Sequence, residues 1–541
     1  MKEVDIAVLL IYLLGVVAFG SWFVRRSRTT EGFMAAGRSL PGWAVGLSIF
    51  GTYLSSNTFI GVPGKAFGAN WNVFVFSLSI PIAAVIAVKW FVPFYRRSGE
   101  ISAYHHLERR FGPWARTLAA VCYLLTQVAR MGSIMLGVAY GLNALLGWPV
   151  AGIIVATGIL VTLYTLLGGI EAVIWTDVVQ SIVLMVGAVL VALLLVFGMP
   201  EGPGHIFAIA MPGPDVITAS EAGVNKFSLG SFGLSLTETT FWVVLVYGIV
   251  MNLNNFGIDQ NFVQRYHTAK SDRDAARSVW LGALLYVPIS AVFLFIGTAL
   301  FAYYETQPAD ALDTVKKEVA ADKLTGEGVL PDQPGYEAAL DKKIEDLEPK
   351  DYGDKVLPHF IVNRLPAGVA GLLIAAIFAA AMSSIDTSLN SSATVVLADV
   401  YKRYFRPAAG ERESMLVLYS ATLLFGAVGT GVAVSLIGVT SVLDAWWFLS
   451  GIFVAGMLGV FLLGLVSRTA TNAGAVTGAV CGVVVTGWIV CWIVVPESWG
   501  WPPSPLHKFF IPVVGTATIV LVGLLASCFF GSRSHSSAGG R

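Results

Sequence analysis

Charged residues are scarce in this sequence. Asp, Glu, Lys and Arg make up 13% of its 541 residues, whereas an ordinary soluble domain has about a quarter. The 34 basic and 34 acidic residues cancel, so no general field would attract nucleic acid. Hydrophobic residues reach 56%, with a mean hydropathy of +0.73. This composition predicts an all-α integral membrane protein with a single transmembrane domain.

Catalytic and cofactor motifs are also missing. The four cysteines, Cys122, Cys481, Cys491 and Cys528, lie in apolar runs without CxxC spacing, so neither a disulfide framework nor a zinc site is predicted. The seven histidines show no metal-ligand spacing, and no Walker or GxGxxG loop occurs. No pair of nucleophile and base stands out. The sequence therefore predicts neither an enzyme nor an ATP-driven pump.

Thirteen apolar runs have about the 20 residues needed to cross a bilayer as a helix. They lie near residues 4–24, 42–67, 72–94, 117–145, 149–168, 172–198, 239–260, 279–304, 365–396, 414–436, 442–466, 473–495 and 508–530. The first run is followed by a basic stretch, the reverse of the order in a cleavable signal peptide. We therefore expect it to be a retained helix.

The connections rich in Arg and Lys all fall on one side of this topology. They are Arg25–Arg38, Arg96–Arg116, Arg265–Arg277, Lys402–Arg412, Arg468 and the tail with Arg533 and Arg541. The positive-inside rule makes that side cytoplasmic and predicts an N-terminus outside and a C-terminus inside. The polar stretch 305–363 then faces outward. The spacing of its charges predicts a partly helical extracellular cap.

The second predicted span is unusually polar. Gly51, Thr52, Ser55–Thr58 and the GVPG run at 61–64 combine helix breakers with hydroxyl groups. Such a run is typical of a helix interrupted near the middle of the bilayer, where freed carbonyls face a cavity. The alternative is close helix packing through small residues. We favour the interruption, because packing alone does not need a TYLSSNT run.

A second polar cluster follows the long loop, in FAAAMSSIDTSLNSS at 378–392. On a helix, Ser383, Asp386 and Thr387 share one face, with Ala380 one turn earlier. Their oxygens are the ligands that a small hard cation prefers. An isolated Ser or Thr can instead bond back to its own helix, but Asp386 cannot be explained in that way.

Two further charges lie within apolar spans, Asp177 and Arg130, with Gln127 one turn before the arginine. Each needs a counter-charge or a wet cavity. Arg130 either pairs with an internal carboxylate as a structural strut or binds an anionic ligand through its guanidinium. Spacing alone does not choose between these two roles. Trp446 and Trp447, near a span end, fit an interfacial belt at least as well as a ligand stack.

These stretches resemble the sodium:solute symporter family over nearly the whole chain, and in particular its bacterial sialic acid carriers. The resemblance rests on TYLSSNTF, GGIEAVIWTDVVQ, DQNFVQRYHTAKSDRDAAR and FAAAMSSIDTSLNSSATVV. It implies a LeuT-type fold of two inverted five-helix repeats at 42–198 and 239–466. One extra helix, at 4–24, would precede them, and two helices at 473–530 would follow. Ions and substrate in such folds bind between interrupted helices.

The resemblance also implies sodium sites. The site common to the family corresponds to the carbonyls of Gly51, Leu54 and Ala380 and the hydroxyls of Ser383 and Ser384. A second site, found in some members, corresponds to Asp177, Ser383, Asp386 and Thr387. The sialic acid carriers have hydroxyl residues at the last two positions. Asp386 therefore adds a second carboxylate, which either tightens sodium binding or shares a proton with Asp177.

For the substrate, Arg130 occupies the position at which the sialic acid carriers hold the ligand's carboxylate, and Gln127 precedes it. Ser55, Ser56 and Thr58 would face the same pocket, with Ser77 where those carriers have a glutamine. The implied function is import of a small carboxylate, best fitted by sialic acid (N-acetylneuraminate), together with sodium. A monomer in the bacterial inner membrane would carry out this import by alternating access.

Two other functions stay open. One is a sodium-coupled carrier of a neutral sugar, in which Arg130 is a structural ion pair. The other, from a different class, is a membrane sensor with a transporter-like body.

Overall fold

The protein is a bundle of helices. The computed structural model describes residues 3–211, 225–438, 442–494 and 505–536, and within these ranges the only β pairing is an isolated bridge between Leu40 and Ala269. The helices are α1 Glu3–Trp22, α2 Thr30–Ala35, α3 Gly42–Tyr53, α4 Ser56–Gly68, α5 Phe74–Ile86, α6 Val92–Ser98, α7 His105–Phe111, α8 Pro113–Leu146, α9 Val150–Gly198, α10 Gly204–Ala210, α11 Phe241–Gly257, α12 Gln260–Thr268, α13 Asp272–Glu305, α14 Asp313–Gly326, α15 Tyr336–Glu345, α16 Pro349–Arg364, α17 Val369–Val395, α18 Glu411–Ser435, α19 Val442–Val466, α20 Asn472–Val494 and α21 Phe510–Ser536. Wider π-helical turns extend α5 into α6 and continue α17 to Phe405.

Ten helical segments of the described residues are long and apolar enough to cross a membrane, and the bent pair α11 and α12 makes an eleventh. Two features account for the difference from the thirteen predicted spans. The 49-residue helix α9 contains a kink at Gly169, so it covers the predicted spans 149–168 and 172–198. The predicted span 42–67 is the polar broken pair α3 and α4.

The kink in α9 depends on a residue without a side chain. Gly169 has φ +56° and ψ −165°, a region that residues with a Cβ rarely adopt. A Cβ at this position would also lie 3.0 Å from Phe33 Cα and 3.1 Å from its carbonyl oxygen. The glycine thus lets α9 change direction where the N-terminal part of the chain packs against it.

Two helical spans are interrupted. The polar run in the predicted span 42–67 indicated the first interruption. The α3 helix ends at Tyr53, its C-cap Leu54 has φ −90° and ψ +120°, and α4 starts at Ser56 with Ser55 as its N-cap. The second break separates α11 from α12, which meet at 46°. There Asp259 caps α12 by accepting the backbone N–H of Asn261 at 2.8 Å. Close packing through small residues also occurs, between α4 and α16. There Gly64 and Gly353 approach each other so closely that a Cβ on either residue would clash with the opposite helix.

The α17 helix lies at the centre of the bundle. All but a few of its residues are buried, including the whole polar stretch from Ser383 to Thr394. The α1 helix packs against it, and Asp5 Oδ1 accepts the N–H groups of Gly368 at 2.7 Å and Gly371 at 2.9 Å. A carboxylate there satisfies free donors at the start of α17. The extra N-terminal helix is therefore tied to the helix that carries the second polar cluster.

The side that carries most of the basic loops is joined by an ion-pair network. Arg116 on α8 donates to Asp399 at 2.6 Å and to Glu108 on α7 at 2.8 Å. Arg403, in the extension of α17, pairs with the other oxygen of Glu108. On the opposite side, the polar stretch 305–363 forms α14, α15 and most of α16, together with a short 3-10 helix at Ala309–Leu312. These helices agree with the partly helical structure that the spacing of its charges predicts.

Candidate ion and substrate sites

The first break and α17 bring together the groups expected at the common sodium site. Ser384 Oγ lies 3.2 Å from the carbonyl oxygen of Leu54, where α3 ends. A Cβ on Gly51 would lie 3.1 Å from Ser383 Oγ, so a glycine is needed for the two helices to approach this closely. Ala380 is buried one turn before the two serines. Because α3 stops at Tyr53, the carbonyls that follow Phe50 in its last turn lack the donors that a further helical turn would supply.

Ser181 belongs to the same group of residues and was missed by the sequence analysis. A Cβ on Gly51 would lie 2.8 Å from Ser181 Oγ, which hydrogen-bonds the carbonyl oxygen of Leu47 at 3.2 Å. A single serine in an apolar helix usually bonds back to its own backbone, so its residue type does not single it out. Its position one turn after Asp177 was the only available signal.

The carboxylate of Asp177 is completely buried and accepts three hydrogen bonds from side chains. Ser383 donates to Oδ1 at 2.5 Å, whereas Ser48 and Arg265 donate to Oδ2 at 2.5 Å and 2.9 Å. Buried charges need this kind of pairing. The counter-charge of Asp177 is therefore Arg265, not Arg130.

The prediction that Arg265 begins a basic cytoplasmic loop is wrong. The residue lies in α12, which continues beyond the predicted end of its span, and its side chain is fully buried. Besides the bond to Asp177, it donates to Ser48 Oγ, the Asn261 carbonyl and Thr387 Oγ1, each at 2.7 Å. A basic residue close to a span end gives the same sequence pattern whether it is buried or exposed.

The four residues of the expected second sodium site divide into two groups. Asp177 and Thr387 both bind Arg265, and Ser383 binds Asp177. Asp386 instead accepts a hydrogen bond at 2.7 Å from the hydroxyl of Tyr164 on α9. Its carboxylate is therefore bonded to α9 and not to Arg265.

The expected substrate residues line one cavity beside the two breaks. Ser55, Thr58, Ser77, Gln127 and Arg130 all contribute to its wall. The side chain of Ser56 lies outside the part of the chain that the structure describes. Ser77 is paired with Ser290 through their hydroxyls at 2.7 Å. The cavity thus collects side chains from α4, α5, α8 and α13.

Arg130 donates from Nη2 to the carbonyl oxygen of Thr52, in the last turn of α3, at 2.5 Å. Among the described residues, no carboxylate forms an ion pair with it. Asp259, at the second break, lines the same cavity at a longer distance. The guanidinium is therefore held in the cavity wall by a backbone carbonyl, and donors remain for a ligand because guanidinium has five N–H groups.

Gln127 lies one turn before Arg130 on the same cavity wall. Its Oε1 accepts from Asn261 Nδ2 at 3.1 Å, and within the described residues its Nε2 has no hydrogen-bond partner. A buried amide N–H₂ without a partner is costly. It thus offers a second donor next to the guanidinium.

Several cavity residues were missed by the sequence analysis or interpreted in another way. Asn254, Asn255 and Asp259 come from the end of α11 and the second break, which the sequence did not reveal. Trp446 and Trp447 also line the cavity, although they fitted an interfacial belt equally well. Trp447 stacks on Phe76 with ring centroids 6.0 Å apart. The cavity therefore combines polar donors with an aromatic wall.

Interrupted helices that surround buried oxygens and a polar cavity define a membrane transporter that binds its cargo between broken helices. The chain belongs to the sodium:solute symporter family, whose model matches residues 33–327 and 348–482. Two relatives are each 30% identical to it. The match to the sodium/sialic acid symporter NanT of Aliivibrio fischeri covers 97% of this chain and 93% of that protein. The match to the sodium/sialic acid symporter SiaT of Proteus mirabilis covers 99% of this chain and 97% of that protein. A solved structure of a Na⁺-coupled sialic acid symporter, in a substrate-bound outward-open state with a novel Na⁺ site, is 28% identical. It superimposes with a TM-score of 0.80 over 98% of both chains.

Family membership confirms the main predictions. The protein is a multi-pass, all-α symporter with the LeuT-type architecture, it uses sodium as its coupling ion, and it is a transporter rather than an enzyme. Its cargo is a small molecule. The breaks in α3/α4 and α11/α12 fit the first helix of each predicted repeat, and the repeat bounds 42–198 and 239–466 stay a prediction.

Proposed function

We propose that this protein imports a sialic acid, or a closely related small carboxylate, together with sodium. The observation that carries the proposal is the pair of donors in the cavity wall: the Arg130 guanidinium without a carboxylate partner and, one turn away, the unpartnered Nε2 of Gln127. Together they can hold both oxygens of a carboxylate. The aromatic wall around Trp447 suits the apolar face of a sugar ring. The two sialic acid symporters at 30% identity support the same ligand class.

The first sodium ion binds at the end of α3 in this proposal. Its ligands are the carbonyls of Gly51, Leu54 and Ala380 and the hydroxyls of Ser383 and Ser384. The 3.2 Å contact between Ser384 Oγ and the Leu54 carbonyl supports this set, because it brings α3 and α17 close enough for one ion to bind both. Sodium binding there stabilises one arrangement of the two helices.

The second sodium site, at Asp177, Ser383, Asp386 and Thr387, stays a prediction. Arg265 already neutralises Asp177 and donates to Thr387. A sodium ion in this position would have to share these oxygens with the guanidinium, so its binding requires a shift of Arg265.

Transport follows from differential affinity. Sodium and substrate bind one conformation more tightly than the other, and this difference in affinity shifts the equilibrium between the states that open to each side. The two helix breaks lie next to both sites, so movement of the surrounding helices changes access to ion and substrate together.

The orientation and setting are also part of the proposal. The basic loops favour a cytoplasmic C-terminus and an external N-terminus, and the bacterial relatives favour the inner membrane of a bacterium. The chain is proposed to act as a monomer surrounded by lipid.

The test is uptake of labelled sialic acid by proteoliposomes with an inward gradient of sodium or potassium. We expect uptake only with sodium, and an apparent affinity that falls by about 100-fold in Arg130→Gln, since a charge-assisted hydrogen bond contributes about 1.5–3 kcal/mol. Leu125→Ala, on the lipid-facing side of the same helix, is the matched control. Sialic acid methyl ester should not compete. Sodium-driven uptake of a neutral sugar that is insensitive to Arg130→Gln would contradict the proposal.

A further inference from the structure

The second helix break places hydrogen-bond acceptors in the wall of the substrate cavity. Asn254 lies in the last turn of α11 and Asp259 is the N-cap of α12. Both line the cavity that Arg130 and Gln127 also line, and they are 2% and 5% exposed. The α8 helix therefore supplies donors to this cavity, and the second break supplies acceptors.

The capping of α12 uses only part of the hydrogen-bonding capacity of Asp259. Its Oδ1 accepts the backbone N–H of Asn261 at 2.8 Å, whereas a carboxylate can accept about four hydrogen bonds. Among the described residues Asp259 forms no ion pair, although the guanidinium of Arg130 lines the same cavity. Two opposite charges that share a cavity without pairing leave room for a ligand that contacts both.

The side chain of Asn254 has an unused acceptor. Its backbone carbonyl accepts the N–H groups of Ile258 at 2.9 Å and Asp259 at 3.0 Å, which fixes the end of α11. Its side-chain Oδ1 has no partner in the part of the chain that the structure describes. Buried polar atoms are nearly always hydrogen-bonded. An unpaired acceptor on a residue of the cavity wall therefore indicates a donor on the ligand.

We propose that Asn254 and Asp259 accept hydrogen bonds from hydroxyl or N–H groups of the substrate, while Arg130 and Gln127 hold its carboxylate. This inference deepens the proposed function and rests on it. It narrows the substrate class to carboxylates that also carry hydroxyl or N–H donors, such as sugar acids. A hydrogen bond to the charged carboxylate of Asp259 is the stronger of the two contacts.

Acceptors of this kind exclude ligands as well as bind them. A carboxylate without donors would pair with Arg130 but would leave Asp259 and Asn254 without partners once the cavity closes around it. A buried group that loses its partner costs more than an average hydrogen bond contributes. Sites that hydrogen-bond a substrate hydroxyl therefore strongly reject analogues that lack it. The second break thus carries specificity-determining residues.

The test compares two ligands by calorimetric titration of the purified full-length protein in saturating sodium. N-acetylneuraminate carries a carboxylate and donors, whereas cyclohexanecarboxylate carries a carboxylate on a ring without donors. Asp259→Asn removes the charge and keeps the cap, because asparagine is as good an N-cap as aspartate. Asn254→Leu removes the acceptor at nearly the same volume. The control is Asp5→Asn, which alters another buried aspartate at a helix start, outside the cavity wall.

We expect the wild type to bind N-acetylneuraminate at least about 100-fold more tightly than cyclohexanecarboxylate. The affinity for N-acetylneuraminate should fall about tenfold in Asp259→Asn and about fivefold in Asn254→Leu. The affinity for cyclohexanecarboxylate should stay unchanged in Asn254→Leu. It should stay unchanged or rise in Asp259→Asn, because a charge that repels the ligand's carboxylate is removed. Asp5→Asn should keep the wild-type ratio of the two affinities.

Variants at Asp259 and Asn254 that keep the wild-type ratio overturn this inference, even if both affinities fall, because a purely structural role weakens both ligands alike. Should Asp259→Asn not fold, Asn254→Leu decides by the same criterion. Failure of the proposed function looks different. Affinities for both ligands that are insensitive to Arg130→Gln contradict the assignment of the carboxylate and leave the ratio to judge the second break. A wild type that binds neither ligand overturns both proposals.

Discussion

Arg265 donates from Nη2 to Asp177 Oδ2 at 2.9 Å, and both side chains are buried in the membrane interior. The bond joins α12, which follows the second helix break, to α9, and Asp177 in turn accepts from Ser383 on α17. One ion pair thus holds three helices beside the proposed first sodium site. It also explains how an arginine and an aspartate can be kept within apolar surroundings.

Removing one charge of this pair should destabilise the protein strongly. Asp177→Asn leaves a buried, unpaired guanidinium, and we expect the free energy of unfolding to fall by about 3–5 kcal/mol. The double variant Asp177→Asn/Arg265→Gln leaves no charge unpaired, so most of the stability should return while the sodium dependence of stability stays impaired. Denaturant unfolding in detergent measures both. A single variant as stable as the wild type would show that the pair is not formed.

The hydroxyl of Ser384 should contribute directly to sodium binding. We expect Ser384→Ala to raise the sodium concentration for half-maximal uptake by about tenfold, the effect of losing roughly 1.4 kcal/mol of binding energy. Ser388→Ala removes a hydroxyl that bonds only within α17 and should leave the value unchanged. Uptake at several sodium concentrations provides the measurement. Equal values for both variants would contradict the assignment of the first site.

Gln127 should affect the substrate and not the ion. Gln127→Leu removes the unpartnered donor next to Arg130, and we expect the apparent substrate affinity to fall by about 10-fold to 100-fold, the range for a hydrogen bond to a charged group. Stabilisation by sodium alone should persist, because the amide lies outside the first sodium site. Parallel thermal-shift titrations with sialic acid and with sodium separate the two effects. Loss of the sodium response together with the sialic acid response would mean that the two sites are not distinct.

Gly169 should tolerate no side chain. Gly169→Ala places a Cβ at a positive φ and against the Phe33 backbone, so we expect a loss of at least about 1–3 kcal/mol in the free energy of unfolding. Gly152→Ala in the same helix α9 meets open space. It should be neutral or stabilising by up to about 1 kcal/mol. The melting temperatures of the two variants in detergent test this contrast, and a Gly169→Ala protein that melts with the wild type would disprove the need for the kink.

Glu108 should make stability depend on pH. Burial raises the pKa of this carboxyl, but the hydrogen bonds and charges of Arg116 and Arg403 lower it by more, so the net shift is downward. Its contribution is therefore complete above the unfolded pKa of about 4.3 and is lost as pH falls through the lower folded pKa. We expect Glu108→Gln to cost about 1 kcal/mol or less at neutral pH, because the side chain is partly exposed.

Glu337→Gln is the control for this effect. Glu337 is exposed on α15 and forms no ion pair among the described residues. Thermal melts of both variants across the acidic range give the comparison. A deficit in Glu108→Gln that does not shrink in acid would contradict the sign of the shift.

Much of the fold could be predicted from the sequence, because the bilayer imposes local rules. A run of about 20 apolar residues must form a helix, and the thirteen runs correspond to the helices found once the kink at Gly169 and the break at Leu54 are counted. The break itself was visible, because the polar run from Thr52 to Thr58 does not suit a continuous apolar helix. Helical spacing also placed Ser383 and Thr387 on one face of α17.

The contacts between distant helices could not be predicted in this way. Asp177 and Arg265 are 88 positions apart, a separation that leaves no periodic signal, and the basic sequence around Arg265 suggested a loop. The second break showed no run of glycine and hydroxyl residues like the first, so Asn254 and Asp259 were not linked to the cavity. Asp386 stood out as a charge in the membrane, but its hydrogen-bond donor Tyr164 lies on another helix.

The sequence by itself determined that the chain spans the membrane, where the first interrupted helix breaks, and which oxygen-bearing residues had to be explained. These properties follow from the cost of placing polar groups in lipid, which acts on each segment separately. Only the tertiary structure decided which buried charges neutralise each other. Arg265 forms an ion pair with Asp177, whereas Arg130 donates to the Thr52 carbonyl and Asp386 accepts from Tyr164, because pairing depends on how the helices pack and not on their order along the chain.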